Sequence, residues 1–125
     1  VHDVTEYQHQ SAVFRWSRQP KVRALYPELA LLFHIKNETQ GGATQVAIDR
    51  AGGVKKGVPD LCLPVPRGEY HALYIELKTE RGRTSQAQEW WIKKLGEAGN
   101  FACVCRGWEA AVQVLGWYLD LGEHR

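Results

Sequence analysis

Three side chains in the middle of the chain could do chemistry together: Asp60, Glu76 and Lys78. Glu76 and Lys78 lie two apart in HALYIELK (residues 71–78), the clearest strand in the sequence. Residues two apart on a strand face one side, so Glu76 and Lys78 point together with Tyr74. Leu73, Ile75 and Leu77 point the other way. Asp60 opens a second short strand, DLCLPV (60–65), and Arg67-Gly68 supplies a turn between the two. A hairpin centred on that turn sets position 60 opposite 75 or 76, beside Glu76. Two adjacent carboxylates repel unless a proton or a cation lies between them. Hard oxygen ligands with room for water suit Mg²⁺, with Mn²⁺ as a substitute. A lysine beside such an ion can hold a water against a phosphodiester. The same triple also suits a surface ion-pair cluster, worth about 1 kcal/mol or less per exposed pair.

Positioning these residues requires strands and the helices that cover them. Asp3 or Thr5 caps a helix that runs to about Arg18 and stops before Pro20. LALLFHIK (29–36) is a nearly continuous apolar run, as in a strand buried on both faces. Thr44 to Ala51 reads as a short helix ended by Gly52-Gly53. After the hairpin come an amphipathic helix over 86–98, a strand over 101–105 and a final helix from Trp108 to about Leu121. The order α-β-α-β-β-α-β-α predicts an α/β fold, a mixed sheet with helices on both faces.

Composition excludes several classes. With 44% hydrophobic and 24% charged residues, the 125-residue chain is neither disordered nor collagen-like. At that length it forms one domain, residues 1–125, that needs no disulfide or metal to fold. No apolar window is long enough to span a membrane, and the N-terminus has no secretory pattern. Met is absent, as in a processed or trimmed start. Cys62, Cys103 and Cys105 are too few and too unevenly placed for a disulfide framework, which fits a reducing cytoplasm. Cys103 and Cys105 share a strand face, but their spacing matches no zinc knuckle, so they read as buried apolar residues. The run Gly52–Gly57 does not join a strand to a helix as a phosphate-binding loop must, so no nucleotide cofactor is expected. A net charge of +2 is too mild to announce nucleic-acid binding, but its distribution is uneven. Arg15, Arg18, Lys21 and Arg23 form one basic group, Lys55 and Lys56 a second, Arg81 and Arg83 a third.

At this point the chain resembles a known family. Gly57-Val58-Pro59-Asp60, Ile75-Glu76-Leu77-Lys78 and Ser85-x-x-Gln88, in that order, resemble the virus-type replication-repair nuclease (VRR-NUC) domain. That family is a branch of the PD…ExK metal-dependent nucleases, of stand-alone phage or bacterial type here. Glu6 and Gln10 are similar to its first-helix Glu and Gln, and Asn37 to its Asn after the first strand. One departure is Glu38-Thr39-Gln40, which separates Asn37 from Gly41-Gly42. The resemblance implies a restriction-endonuclease-like core. It implies Asp60, Glu76, the Leu77 carbonyl and Glu6, the last through water, as metal ligands. Lys78 is then the catalytic lysine, with Gln88 and Glu6 in support.

Two of these residues have a second physical reading. Gln88 shares the stripe of Trp91, Ile92 and Leu95, where a buried amide needs partners; Lys78 or a bound water would serve, and so would backbone. Glu6 stands three residues after Asp3, the spacing of a capping box. The resemblance further implies DNA cleavage leaving a 5′-phosphate. Lys55, Lys56, Arg81, Arg83 and Asn37 would guide the phosphates. No base-reading module is visible, so branched DNA, such as a flap or four-way junction, fits better than a sequence. A non-catalytic nucleic-acid-binding module is the alternative. Trp90 and Trp117-Tyr118 exceed what their helices need to bury, which points to a homodimer presenting two sites.

Overall fold

The computed structural model describes residues 4–36 and 41–125. The first helix, α1 (Glu6–Ser17), is capped by Thr5, whose hydroxyl accepts from the Gln8 N–H at 3.1 Å. The Gln8 side-chain oxygen accepts from the Thr5 N–H at 2.8 Å, completing a capping box. Thr5 and Gln8 therefore do the capping that the sequence equally allowed for Asp3 and Glu6. Asp3 lies outside the described residues. Pro20 ends α1 and also begins α2 (Pro20–Leu25), because its fixed φ suits the first helical position.

The apolar run at 29–36 is not a buried strand. It divides into a 3₁₀ turn (Pro27–Leu31) and a two-residue strand, β1 (Phe33–His34), with both strand residues exposed. Three residues per turn send Leu29 and Leu32 into the core, while Leu31 and Phe33 face outward. Beyond it come α3 (Ala43–Ala51), β2 (Leu61–Leu63), β3 (Leu73–Lys78), α4 (Gln86–Glu97), β4 (Phe101–Arg106) and α5 (Trp108–Leu119). The sheet order is β1-β2-β3-β4. The first two pairings are antiparallel, and β3–β4 is parallel with α4 as the connection.

This is the mixed α/β fold that the element order implies. Leu73, Ile75 and Leu77 of β3 form a core with Val13 of α1 and with Leu115 and Tyr118 of α5. On the opposite face, Glu76 meets Gln88 of α4. Five of the six residues of β3 are buried, Glu76 and Lys78 among them, so this strand holds charged side chains deep in the fold. Cys62 and Cys105 are buried, and the Cys103 and Cys105 sulfurs lie 3.8 Å apart along β4.

Tyr118 corrects the expectation of an aromatic surface patch: it is fully buried, and its hydroxyl donates to the Val65 carbonyl at 2.6 Å. Trp90 and Trp117 do stay exposed. Tyr118→Phe leaves the buried carbonyl without its donor, a loss of about 1–3 kcal/mol. A thermal melt should show a midpoint lower by several degrees, with the far-UV spectrum unchanged.

Candidate active site

The hairpin register decides where Asp60 sits. Leu61 pairs with Ile75, Cys62 with Tyr74 and Leu63 with Leu73, so position 60 falls opposite Glu76. Asp60 is held at both ends. Its side-chain Oδ2 accepts from the Leu77 N–H at 2.7 Å. Its backbone carbonyl accepts from the Ile35 N–H at 2.7 Å and lies 2.8 Å from His34 Nδ1. A carbonyl can only accept, so Nδ1 carries the proton in this contact.

Glu76 is only 1% exposed. Its Oε2 lies 3.4 Å from Gln88 Nε2 and 3.9 Å from Lys78 Nζ. Its Oε1 is buried, and no hydrogen-bond donor faces it among the described residues. Burial pushes the Glu76 carboxyl up to about 9, and the hydrogen bond and charge of Asp60 push the same way. Glu6 adds a smaller push, and the Lys78 ammonium opposes all of these. Glu6 arrives from the first turn of α1. Oxygens of Glu6, Asp60 and Glu76 all lie within 4.8 Å of one another. A shared proton or a cation are the two ways to relieve such a cluster. Three hard carboxylate donors, one with an orphaned buried oxygen, fit a divalent metal ion.

Two contacts place the third wall. Ser85 caps α4, accepting from the Gln88 N–H at 3.1 Å, while Gln88 Oε1 accepts from the Ser85 N–H at 2.8 Å. Gln88 thus caps its helix with one end of the amide and meets Glu76 with the other. Its partner is Glu76, where the sequence pointed to Lys78 or water. Gly57 explains the first residue of the GVPD run. Its φ is +89°, and a Cβ there would stand 2.7 Å from the Ala87 carbonyl carbon and Cβ. The loop before Asp60 can pack against the first turn of α4 only without a side chain. Trp91 Nε1 donates to the Lys56 carbonyl at 3.1 Å and pins the same loop.

A cavity of about 460 Å³ opens over the cluster, lined by Glu6, Gln10, Asp60, Glu76, Leu77, Lys78 and Gln88 together with Tyr7, His34 and Lys36. The last three were missed from sequence. His34 and Lys36 alternate along LALLFHIK, a period-2 signal hidden by reading that run as a buried strand. The basic guides fall elsewhere. Lys55, Lys56, Arg81 and Arg83 are exposed and do not line this cavity. Arg81 lines a neighbouring one with His9, Thr79, Glu80 and Arg106. Asn37 lies outside the described residues.

The VRR-NUC domain family profile matches residues 4–109, which include every residue of the acidic cluster. The chain belongs to the VRR-NUC domain family. A solved structure described as a VRR_NUC domain protein superposes with a TM-score of 0.83 at 30% identity, covering 100% of this chain and 96% of that one. A comparison with curated proteins finds no match. Family membership makes this VRR-NUC domain a nuclease domain, with nucleic acid as the substrate class. Glu6, Asp60 and Glu76 give it a cluster that could bind a divalent metal. No helix among the described residues is long and apolar enough to cross a membrane.

Two predictions follow from this geometry. Gly57→Ala should cost about 2 kcal/mol or more, from positive φ and overpacking together; denaturant melts measure it, and divalent-ion affinity should fall with it. The second concerns pH. In the metal-free protein the folded state holds on Glu76 a proton that the unfolded chain releases. This group's contribution is full below its ordinary value of 4.5 and is lost as pH rises towards about 9. In a chelator, the melting temperature of Glu76→Gln should therefore gain on the wild type as pH is raised across that window.

Proposed function

We propose that this VRR-NUC domain is a Mg²⁺-dependent DNA endonuclease, with Mn²⁺ able to substitute. The carrying observation is the buried Glu76 carboxylate with its orphaned Oε1, set beside Asp60, Glu6 and Lys78. Burying such a group without a partner costs a fold far more than a surface ion pair returns, so a bound cation is its natural complement. Asp60, Glu76 and the Leu77 carbonyl would hold the ion, with Glu6 acting through water. When bound, the ion acidifies a water and neutralises charge on the scissile phosphate. Lys78, whose ammonium is nearly buried, orients the attacking water and faces the phosphate with its charge. Gln88 keeps Glu76 and the first turn of α4 in register. Water adds to phosphorus, the bond to the 3′-oxygen breaks, and the products are a 5′-phosphate and a 3′-hydroxyl.

Residues 1–125 act as one nuclease unit in a reducing cytoplasm. Its substrate is branched DNA, a flap or a four-way junction, a reading supported by a sequence in which no base-reading module is recognisable. Exposed Trp90 and Trp117 support a homodimer that would offer two sites to two strands. Light scattering should then give a mass near twice 14.2 kDa.

Lys78→Ala, Asp60→Asn and Glu76→Ala should each lower Mg²⁺-dependent nicking of branched DNA by about 10³-fold, near 4 kcal/mol of barrier. Their folds should persist: removing either acid relieves repulsion in the apo site, and without Lys78 the buried Glu76 carboxyl is held in its neutral, protonated form. Calorimetry should show Mg²⁺ binding lost in the two acid variants. Intact branched substrates in both Mg²⁺ and Mn²⁺, with gel-shift binding retained, would replace the enzyme with a non-catalytic binding module.

A further inference from the structure

The basic group at residues 15–23 has no role in the site described above, yet it is the strongest charge feature of the chain. Residues 7–27 contain no acid at all. Arg15, Arg18 and Lys21 are exposed. None of the four cations in this group enters an ion pair among the described residues; the pairs are Lys36–Asp49, Arg67–Glu28, Lys78–Glu76 and Lys94–Glu97. Three unpaired exposed cations already exceed the net charge of +2 of the whole chain.

The group is tied rigidly to the cleft. Its carrier is α1, the helix whose first turn delivers Glu6 to the acidic cluster. Tyr7, next to Glu6, lines the cleft and is 74% exposed, an unusual place for an aromatic ring. Tyr7, Ser11, Phe14 and Arg18 succeed one another at i, i+4, i+7 and i+11, one stripe of the helix, with Arg15 beside it. Arg18 is steadied over the Phe14 ring, 5.7 Å from its centroid. Arg23 serves the architecture, because its Nε donates to the Ser17 carbonyl at 3.1 Å and fixes α2 against the end of α1. Lys21 on α2 is thereby held near Arg18. Cations at a helix C-terminus also offset the helix dipole, but that effect ends within the last turn and involves neither Lys21 nor Tyr7.

We infer that α1 is the rail of a nucleic-acid track running from Tyr7 at the cleft mouth to Arg15, Arg18 and Lys21, which take the phosphodiester backbone of one substrate arm. The inference rests on the nuclease reading above and adds to it where the substrate lies. At about 1.5 Å per residue, Arg15 and Arg18 stand about 12 and 16 Å along the axis from Tyr7. One strand of a duplex rises about 3.4 Å per nucleotide, so these cations meet phosphates about four to five nucleotides along the strand from Tyr7. Tyr7 offers its ring to a base unstacked at the branch.

The test is equilibrium binding of labelled branched and linear duplex DNA in a chelator, where no cleavage occurs, across about 50–200 mM salt. The triple variant R15A/R18A/K21A should bind at least about tenfold more weakly at the low-salt end, with a log–log salt slope shallower by about 2 to 3. R15K/R18K should keep the wild-type slope, which assigns the effect to charge. A charge-matched control, K93A/K94A/R125A, should leave the slope unchanged. Tyr7→Ala should weaken binding of the branched probe more than the linear one, and Tyr7→Phe should restore it. An unchanged slope in the first triple variant, or an equal drop in the control, would overturn the track. Failure of the nuclease reading looks different: wild-type protein that binds with the steep slope yet never cuts in Mg²⁺ or Mn²⁺ leaves the track standing and removes the enzyme.

Discussion

The Glu76 carboxylate is held in the interior of a sheet with one oxygen unpartnered and a second carboxylate, Asp60, beside it. Left alone, that arrangement works against folding, since a desolvated charge and a like charge both oppose ionisation. The surrounding structure can be understood as what such a side chain demands. It must sit on a strand covered on both faces, as β3 is. It must have a cation within reach, and Lys78 supplies part of one at 3.9 Å. Oxygens of Glu6 and Asp60 converge on Glu76 within 4.8 Å, a cluster that could bind a divalent metal.

The positioning of the other groups is secured by hydrogen bonds made with the backbone. Asp60 accepts from the Leu77 N–H, so the loop that carries it is registered against the strand that carries Glu76 and Lys78. Gln88 is committed twice, to the Ser85 cap and to Glu76, so the start of α4 and the acidic cluster move as one. Thr5 and Gln8 cap α1 between them, which frees the Glu6 carboxylate to face the cleft. An acid next to a helix N-terminus is available to a cleft only if another residue does the capping. The contact of Gly57 with Ala87 closes this framework, because it sets how far the loop before Asp60 stands from α4.

Much of this was legible in the sequence. Alternation along residues 71–78 places Glu76 and Lys78 on one face, and the Arg67-Gly68 turn places Asp60 within one residue of its observed register. The 3.6-residue period of α4 places Gln88 on the inward stripe. These readings succeed because strand and helix periods are local properties, fixed by the backbone of a few residues. The segment at 29–36 reads wrongly for the same reason. Its run of apolar residues satisfies a strand and a helix equally; the packing of the 3₁₀ turn against the core decides that Leu29 and Leu32 are buried, and the position of β1 at the sheet edge leaves Phe33 exposed.

Residue types and their spacing set which acids, which lysine and which amide stand together, and offer hard oxygen ligands that could bind a divalent metal. Tertiary structure decided what each group costs and serves. Glu76 is buried with an orphaned oxygen, Tyr118 is interior and not part of a surface patch, and His34, Lys36 and Tyr7 line the cleft. It also set Arg15 and Arg18 at the far end of α1 from that cleft, with Lys21 following on α2. Solvent exposure and the pairing of charges depend on neighbours distant in the chain, and no local period encodes them.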